Sequence, residues 1–147
     1  MIQQSTLDTI IGFEGFRTRA YKDTKGLWTI GVGHLIKPNE QHLITTELTK
    51  IGVDSLLRQD LAECQRCIDK MVRAPINQNQ FDALCSLCFN IGTEHFTESS
   101  VLRHLNQLNY AQAANDFLLW NKPPELIERR KKEKALFERA WKGPFLH

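Results

Sequence analysis

No long apolar run occurs in this sequence, so nothing in it predicts a membrane-spanning helix. The opening residues, Met1-Ile2-Gln3-Gln4-Ser5-Thr6, lack the basic and apolar regions of a signal peptide. The expected site of synthesis is the cytoplasm, and a substrate beyond the membrane requires a separate route out. Internal repeats are absent, which leaves no basis for a repeat architecture. Low-complexity segments are absent too, so no part reads as a disordered tail. A large excess of one charge is also missing: 19 Lys and Arg stand against 17 Asp and Glu, a net +2.

What is present fits an ordinary soluble globular chain. It has 147 residues, 41% hydrophobic and 24% charged, enough for one domain or two small lobes sharing a core. The small positive charge is unevenly placed. Residues 121–147 carry eight Lys or Arg against four Glu, a balance of +4. The remaining residues carry eleven against thirteen, a balance of −2. A basic C-terminal segment favours an anionic surface, or is simply a solvated helix face.

The patterning begins with a helix over about 5–14. Ser5-x-x-Asp8 resembles a capping box, and Gly15 is placed to end the helix. Arg17–Lys22 reads as a strand and Asp23-Thr24-Lys25-Gly26 as a turn. Leu27–Gly33 reads as a second strand. Its alternation puts Trp28, Ile30 and Val32 on one face and Thr29 with two glycines on an open face. Pro38-Asn39-Glu40 is loop. Residues 54–73 form one long helix with Leu57, Leu61, Cys64, Ile68 and Met71 on a stripe. Asn77-x-x-Gln80 caps the next helix, whose stripe is Phe81, Leu84, Cys85, Cys88 and Ile91, and Gly92 closes it. Helices are expected at about 98–107 and 110–120. Lys122-Pro123-Pro124 is a break, and a last helix covers about 125–141.

The expected fold class is therefore α+β and mainly helical. A small N-terminal lobe with a β-hairpin, about 1–53, precedes a connecting helix, about 54–74. A larger all-helical C-terminal lobe, about 75–147, completes a single domain. Such an arrangement leaves a cleft between lobes, the usual place for a substrate.

Cys64, Cys67, Cys85 and Cys88 form C-x2-C, seventeen residues, then C-x2-C. That spacing matches a structural zinc site. Both pairs, however, lie inside helices with no turn residues between them, on apolar faces where Cys acts as a small hydrophobe. Core cysteines are expected, with zinc binding or an oxidation-dependent disulfide as the alternatives.

Glu14 falls on the apolar stripe of the first helix, after Leu7, Ile10 and Ile11. Burial there would favour a neutral carboxyl, the condition for a general acid. Asp23 follows nine residues later in a polar turn, and Thr29 six after that in a strand. Taken singly, these are a helix-end glutamate, a turn aspartate and a strand threonine. Taken together, two carboxylates in opposite environments point to acid/base chemistry.

The stretch Phe13-Glu14-Gly15-Phe16-Arg17 through Tyr21-Lys22-Asp23 to Trp28-Thr29-Ile30-Gly31-Val32-Gly33-His34-Leu35 resembles the phage-type lysozymes, the endolysin muramidases of glycoside hydrolase family 24. Downstream, Asn79-Gln80-Phe81-Asp82-Ala83-Leu84, then Phe89-Asn90-Ile91-Gly92-Thr93, looks like that family's central helix. Arg129-Arg130 with Glu133 look like its last.

The resemblance implies a catalytic set of Glu14, Asp23 and Thr29, and a sugar cleft lined by Leu35, Phe89 and Ser99. It implies hydrolysis, with inversion, of the β-1,4 bond between N-acetylmuramic acid and N-acetylglucosamine in peptidoglycan, leading to host cell lysis. No metal or cofactor is required. The expected partner is the peptidoglycan glycan strand, met as a monomer at the cell wall after release through a holin. Nucleic acid is not an expected partner. The basic last helix, with Leu136, Phe137, Ala140 and Trp141 on one side, is a candidate for outer-membrane contact. His34 reads as a structural hydrogen-bonding or ion-pairing residue, and Arg129 or Arg130 as a partner for Glu14. The competing readings are a lytic transglycosylase on the same bond and a zinc-dependent nucleic-acid-binding module.

Overall fold

The computed structural model describes residues 1–146. Helix α1 spans Gln4–Glu14. Strands β1 (Arg17–Lys22), β2 (Trp28–Gly31) and β3 (His34–Leu35) follow. The remaining helices are α2 (Lys50–Met71), α3 (Gln78–Ile91), α4 (Thr93–Glu98), α5 (Ser100–Asn106), α6 (Tyr110–Asp116) and α7 (Ile127–Glu138). The chain is mainly helical with one antiparallel sheet in the order β1-β2-β3. The expected α+β class therefore holds.

Helix α1 starts one residue early, and its cap differs from the expected one. The Thr6 Oγ1 accepts from the Gln3 backbone N–H at 3.0 Å, so the box is set by Gln3 and Thr6 and not by Ser5 and Asp8. Gly15 ends the helix as expected. Its φ of 70° is a left-handed value that a side chain would oppose. The β1–β2 turn is the one expected, with the Asp23 Oδ1 accepting from the backbone N–H groups of Lys25 and Leu27.

The hairpin gains a third strand that the sequence pattern did not predict. Two residues are too few to show periodicity, yet β3 pairs Leu35 with Thr29 and His34 with Ile30. This pairing and the helices beneath bury Thr29, Ile30 and Gly31. Trp28 stays exposed, so it does not share a buried face with Ile30 and Val32.

Pro38–Ile44 forms a 3-10 turn where loop was expected. Helix α2 begins four residues earlier than expected, because the Thr49 hydroxyl accepts from the Gly52 N–H at 3.0 Å and caps it. Its stripe packs as read: Leu57, Leu61, Cys64 and Ile68 are buried. Helix α3 is capped reciprocally by Asn77 and Gln80 and is buried on every side from Phe81 to Cys88. It packs against α1, α2 and α7 and forms the centre of the core. The helix expected at about 98–107 is α5, capped by Ser99, and the short α4 before it was not expected.

The last helix differs most. It starts after a short 3-10 turn at Pro124–Leu126 and ends at Glu138, not 141. The tail beyond it folds back, and the Leu146 N–H donates to the Ile76 carbonyl at 3.0 Å. Phe137 is buried against Phe117, with ring centroids 5.5 Å apart. Ala140 and Trp141 lie beyond the helix, so the expected four-residue apolar face is not formed.

Candidate active site

Glu14 occupies the last turn of α1. Leu7 and Ile10 of the stripe are fully buried, but one turn later the helix has run past the edge of the core. The Glu14 side chain is 33% exposed and reaches a guanidinium, with its Oε2 3.1 Å from the Arg129 Nη1. The apolar enclosure expected for this carboxyl is therefore absent. What fixes it is an ion pair from α7, through the first of the two arginines singled out in the sequence.

Arg129 is itself held rigidly. Its Nε donates to the Glu133 Oε2 at 3.2 Å, and its Nη2 donates to the Ser86 carbonyl and hydroxyl oxygens at 3.1 and 3.2 Å. The Ser86 hydroxyl donates to Glu133 at 2.6 Å. Arg130 donates to the other Glu133 oxygen at 2.9 Å and to the Asn90 side-chain carbonyl. Glu133 and Arg130 have no solvent exposure, so their charges survive burial only through this pairing. Phe13 lies under the Arg129 guanidinium, 5.0 Å from ring centroid to Cζ, which adds a cation–π contact.

The cleft beside Glu14 holds about 410 Å³ and is lined by Tyr21, Val32, Gly33, Phe89 and Asn90. Asn90 also borders a neighbouring hollow of about 630 Å³, whose walls include His95, Trp120 and Arg130. A polymer lying along this side of α3 would meet both.

Asp23 and Thr29 do not line that cleft. They are joined through one residue: the Asp23 Oδ1 accepts from the Leu27 N–H at 2.9 Å, and the Thr29 hydroxyl donates to the Leu27 carbonyl at 3.0 Å. Thr29 is 2% exposed, so the open cleft face expected for it is not formed. Asp23 is half-buried, with its second carboxylate oxygen uncommitted.

Of the expected sugar-cleft residues, Phe89 lies beside Glu14. Leu35 is exposed on β3. Ser99 is buried and committed to capping α5, its Oγ donating to Phe96 and accepting from Leu102. Tyr21 and Asn90 were not singled out from the sequence. A signal for Asn90 existed: it sits one turn after Ser86, and both interrupt the apolar run from Ala83 to Ile91.

His34 is buried between Asp60, with Nδ1 2.9 Å from the Oδ2, and Glu40, with Nε2 2.9 Å from the Oε1. Desolvation acts to lower its pKa, but the hydrogen bonds to Glu40 and Asp60 outweigh it and raise the pKa above 6.5. The structural reading of this histidine holds. The four cysteines are free, and Cys64, Cys85 and Cys88 are buried. Among the described residues, no cluster of three His, Cys, Asp or Glu is arranged to hold a metal ion.

A helical body with a small antiparallel sheet, and a carboxylate at the cleft between them, has the architecture of a lysozyme. The sequence model of the phage lysozyme family matches residues 11–133. The endolysin of Salmonella phage P22 is 47% identical over 129 residues, covering 84% of this chain and 88% of that protein. The endolysin of Acyrthosiphon pisum secondary endosymbiont phage 1 is 39% identical, covering 95% of this chain and 99% of that one. A crystal structure of a P22 lysozyme mutant superposes with a TM-score of 0.88 at 42% identity, covering 95% of this chain and 99% of that chain. The chain belongs to the phage lysozyme family.

Proposed function

We propose that Glu14 protonates the glycosidic oxygen of peptidoglycan while Asp23 directs a water at the anomeric carbon. The chain is a peptidoglycan-hydrolysing muramidase of the endolysin type and acts on the cell wall. The residue roles rest on one observation above all: the Glu14 carboxylate faces the cleft, fixed by a buried arginine, with Tyr21, Phe89 and Asn90 around it. A preset acid spares the reaction the cost of orienting it. A sugar seated in the cleft displaces water from around Glu14, which favours proton donation to the leaving oxygen over exchange with solvent.

Asp23 is a turn residue with one oxygen spent on the backbone and one free. The free oxygen is the base for water. Thr29 acts as a positioning residue: through Leu27 it holds the turn that carries Asp23. Inversion requires carboxyl groups roughly 6.5–9.5 Å apart, leaving room for that water. Phe89 stacks along the sugar path, with Leu35 at its outer edge. The reading keeps one domain, with a small N-terminal lobe at about 1–53, a connecting helix and a helical lobe to the C-terminus, and the glycan between the lobes.

The proposal keeps the protein as a monomer. The outer-membrane reading is reduced to Lys131, Lys132 and Lys134 of α7, because Arg129 and Arg130 are spent inside the protein. No helix among the described residues is long and apolar enough to cross a membrane, and passage through a holin remains the proposed route to the wall.

The deciding experiment is analysis of the glycan ends released from purified peptidoglycan. Hydrolysis gives a reducing N-acetylmuramic acid end, and in water enriched in oxygen-18 the label enters it. A 1,6-anhydro end overturns the reading in favour of a transglycosylase.

A further inference from the structure

Asn90 stands in the last turn of α3, half-buried, on the wall that the Glu14 cleft shares with the neighbouring hollow. A guanidinium can only donate, so the Asn90 atom that meets Arg130 is the carbonyl oxygen. The two ends of the amide are thereby told apart. Its nitrogen donates to no acceptor among the described residues, yet it is not sealed from water. Arg130 is fully buried and anchored on Glu133 at 2.9 Å. That anchoring has a cost, since the Arg130 Nε is buried without an acceptor among the described residues. The series Glu133, Arg130, Asn90 therefore ends in a fixed, unspent N–H donor beside Glu14. The cation on the Asn90 carbonyl also polarises the amide and strengthens that donor.

We propose that the Asn90 amide donates to the N-acetyl carbonyl of the sugar held at Glu14, and so makes the enzyme select N-acetylated over de-N-acetylated glycan. The inference rests on the muramidase reading. Each sugar of that strand carries its acetamido group on the carbon next to the anomeric one. The acetamido is therefore the ring substituent nearest the bond to be cut, in the cleft that Asn90 lines. Its carbonyl accepts hydrogen bonds, which is what the Asn90 nitrogen needs. Removing the acetyl group leaves an ammonium, which can only donate. A strand so altered sets donor against donor and leaves Asn90 unpaired in a site closed to water.

The other residues of the cleft cannot make this distinction. Val32, Gly33 and Phe89 bring no polar side chain. Glu14 only accepts while ionised and is spent on Arg129 and the leaving oxygen. The Tyr21 hydroxyl both donates and accepts, so it meets a carbonyl or an amine equally well. Asn90 alone offers the cleft a donor whose accepting end is already occupied. It is a specificity-determining residue and neither the acid nor the base.

The test is to digest partly de-N-acetylated peptidoglycan with the full-length protein and read the sugars at each new end by mass spectrometry. The wild type should cut beside N-acetylated sugars about tenfold more often than their share of the strand, the discrimination of one ordinary hydrogen bond. Asn90→Asp keeps an oxygen for Arg130 but cannot donate, and Asn90→Ala removes both functions. Both should cut with little regard to acetylation. This preference is a ratio within one digest, so a slower variant still reports it. No preference in the wild type, or the same preference in the variants, overturns the proposal. Where a variant folds poorly, the wild type decides by NMR. The Asn90 side-chain amide resonances should shift with soluble N-acetylated peptidoglycan fragments and not with the same fragments de-N-acetylated, and an equal response to both overturns the proposal. The digests also separate the two claims. Ends in the 1,6-anhydro form strike the muramidase reading, whereas reducing ends with an unchanged preference strike only the role of Asn90.

Discussion

The Arg129 guanidinium lies 3.1 Å from the Glu14 carboxylate, so the last helix of the chain grips the end of the first. This contact divides what Glu14 does from what holds it. The carboxylate is a third exposed and faces the cleft. The arginine is buried and belongs to the core.

Glu14→Gln keeps the side-chain shape and a hydrogen-bond acceptor for Arg129 but removes the donated proton. Release of glycan ends from purified peptidoglycan should fall by about 100-fold or more. Stability should change by less than about 1 kcal/mol, because a partly exposed pair contributes little. A fully active variant sinks the proposed acid role.

Arg129→Met should lower stability as well as activity. It strips partners from Glu14, Ser86 and the fully buried Glu133 together. Breaking such a network by removing one member costs about 3–5 kcal/mol. Denaturant unfolding should show that loss, and activity should fall with it. Arg129→Lys should recover little, since a single ammonium cannot reproduce the fork that spans these partners.

At Asp23 and Thr29 the test is one of separation. Asp23→Asn retains an oxygen for the Lys25 and Leu27 N–H groups, so the turn should survive while hydrolysis is lost. Thr29→Ser keeps the hydroxyl that donates to the Leu27 carbonyl and should stay active, whereas Thr29→Val should lower kcat more than KM. Equal activity of the two threonine variants would remove the hydroxyl from the mechanism.

His34 predicts a pH profile for stability. Its folded pKa is raised above 6.5, so its stabilisation is complete below that value and is lost as pH rises through the folded pKa. Glu40 runs the other way. The His34 hydrogen bond, then the Lys37 backbone N–H, lowers its pKa, so its stabilisation is present above 4.5 and fades as pH falls. The stability gap between wild type and His34→Asn should therefore be widest between pH 4.5 and 6.5 and narrow on either side. Chemical denaturation across pH 4–9 measures it, and a flat difference would contradict the network.

The sequence disclosed elements wherever one periodicity ran long enough, as in α2 with Leu57, Leu61, Cys64 and Ile68. It disclosed caps wherever the residue chemistry was unambiguous, as with Asn77 and Gln80. Thr29 was placed on the right strand, but alternation within one strand does not reveal what packs over either face, and its face is buried. The stripe through Leu7 and Ile10 extrapolated to Glu14 because a helical pattern does not reveal where the core beneath it stops. Leu136 to Trp141 kept helical spacing past Glu138, but at Arg139 the backbone turns extended, with ψ of 134°. The two arginines were visible as partners for Glu14. Their deeper commitment to Ser86, Asn90 and Glu133 depended on α7 crossing α3, which local pattern does not encode.

The grip of α7 on α1 also orders events in time. Glu14 emerges from the ribosome well before Arg129, which lies far down the chain. A nascent or prematurely terminated chain carries the carboxylate with nothing to aim it, and an α3 whose Ser86 and Asn90 wait unmatched. A cell translating this message gains an aimed carboxylate only in molecules whose synthesis has passed α7.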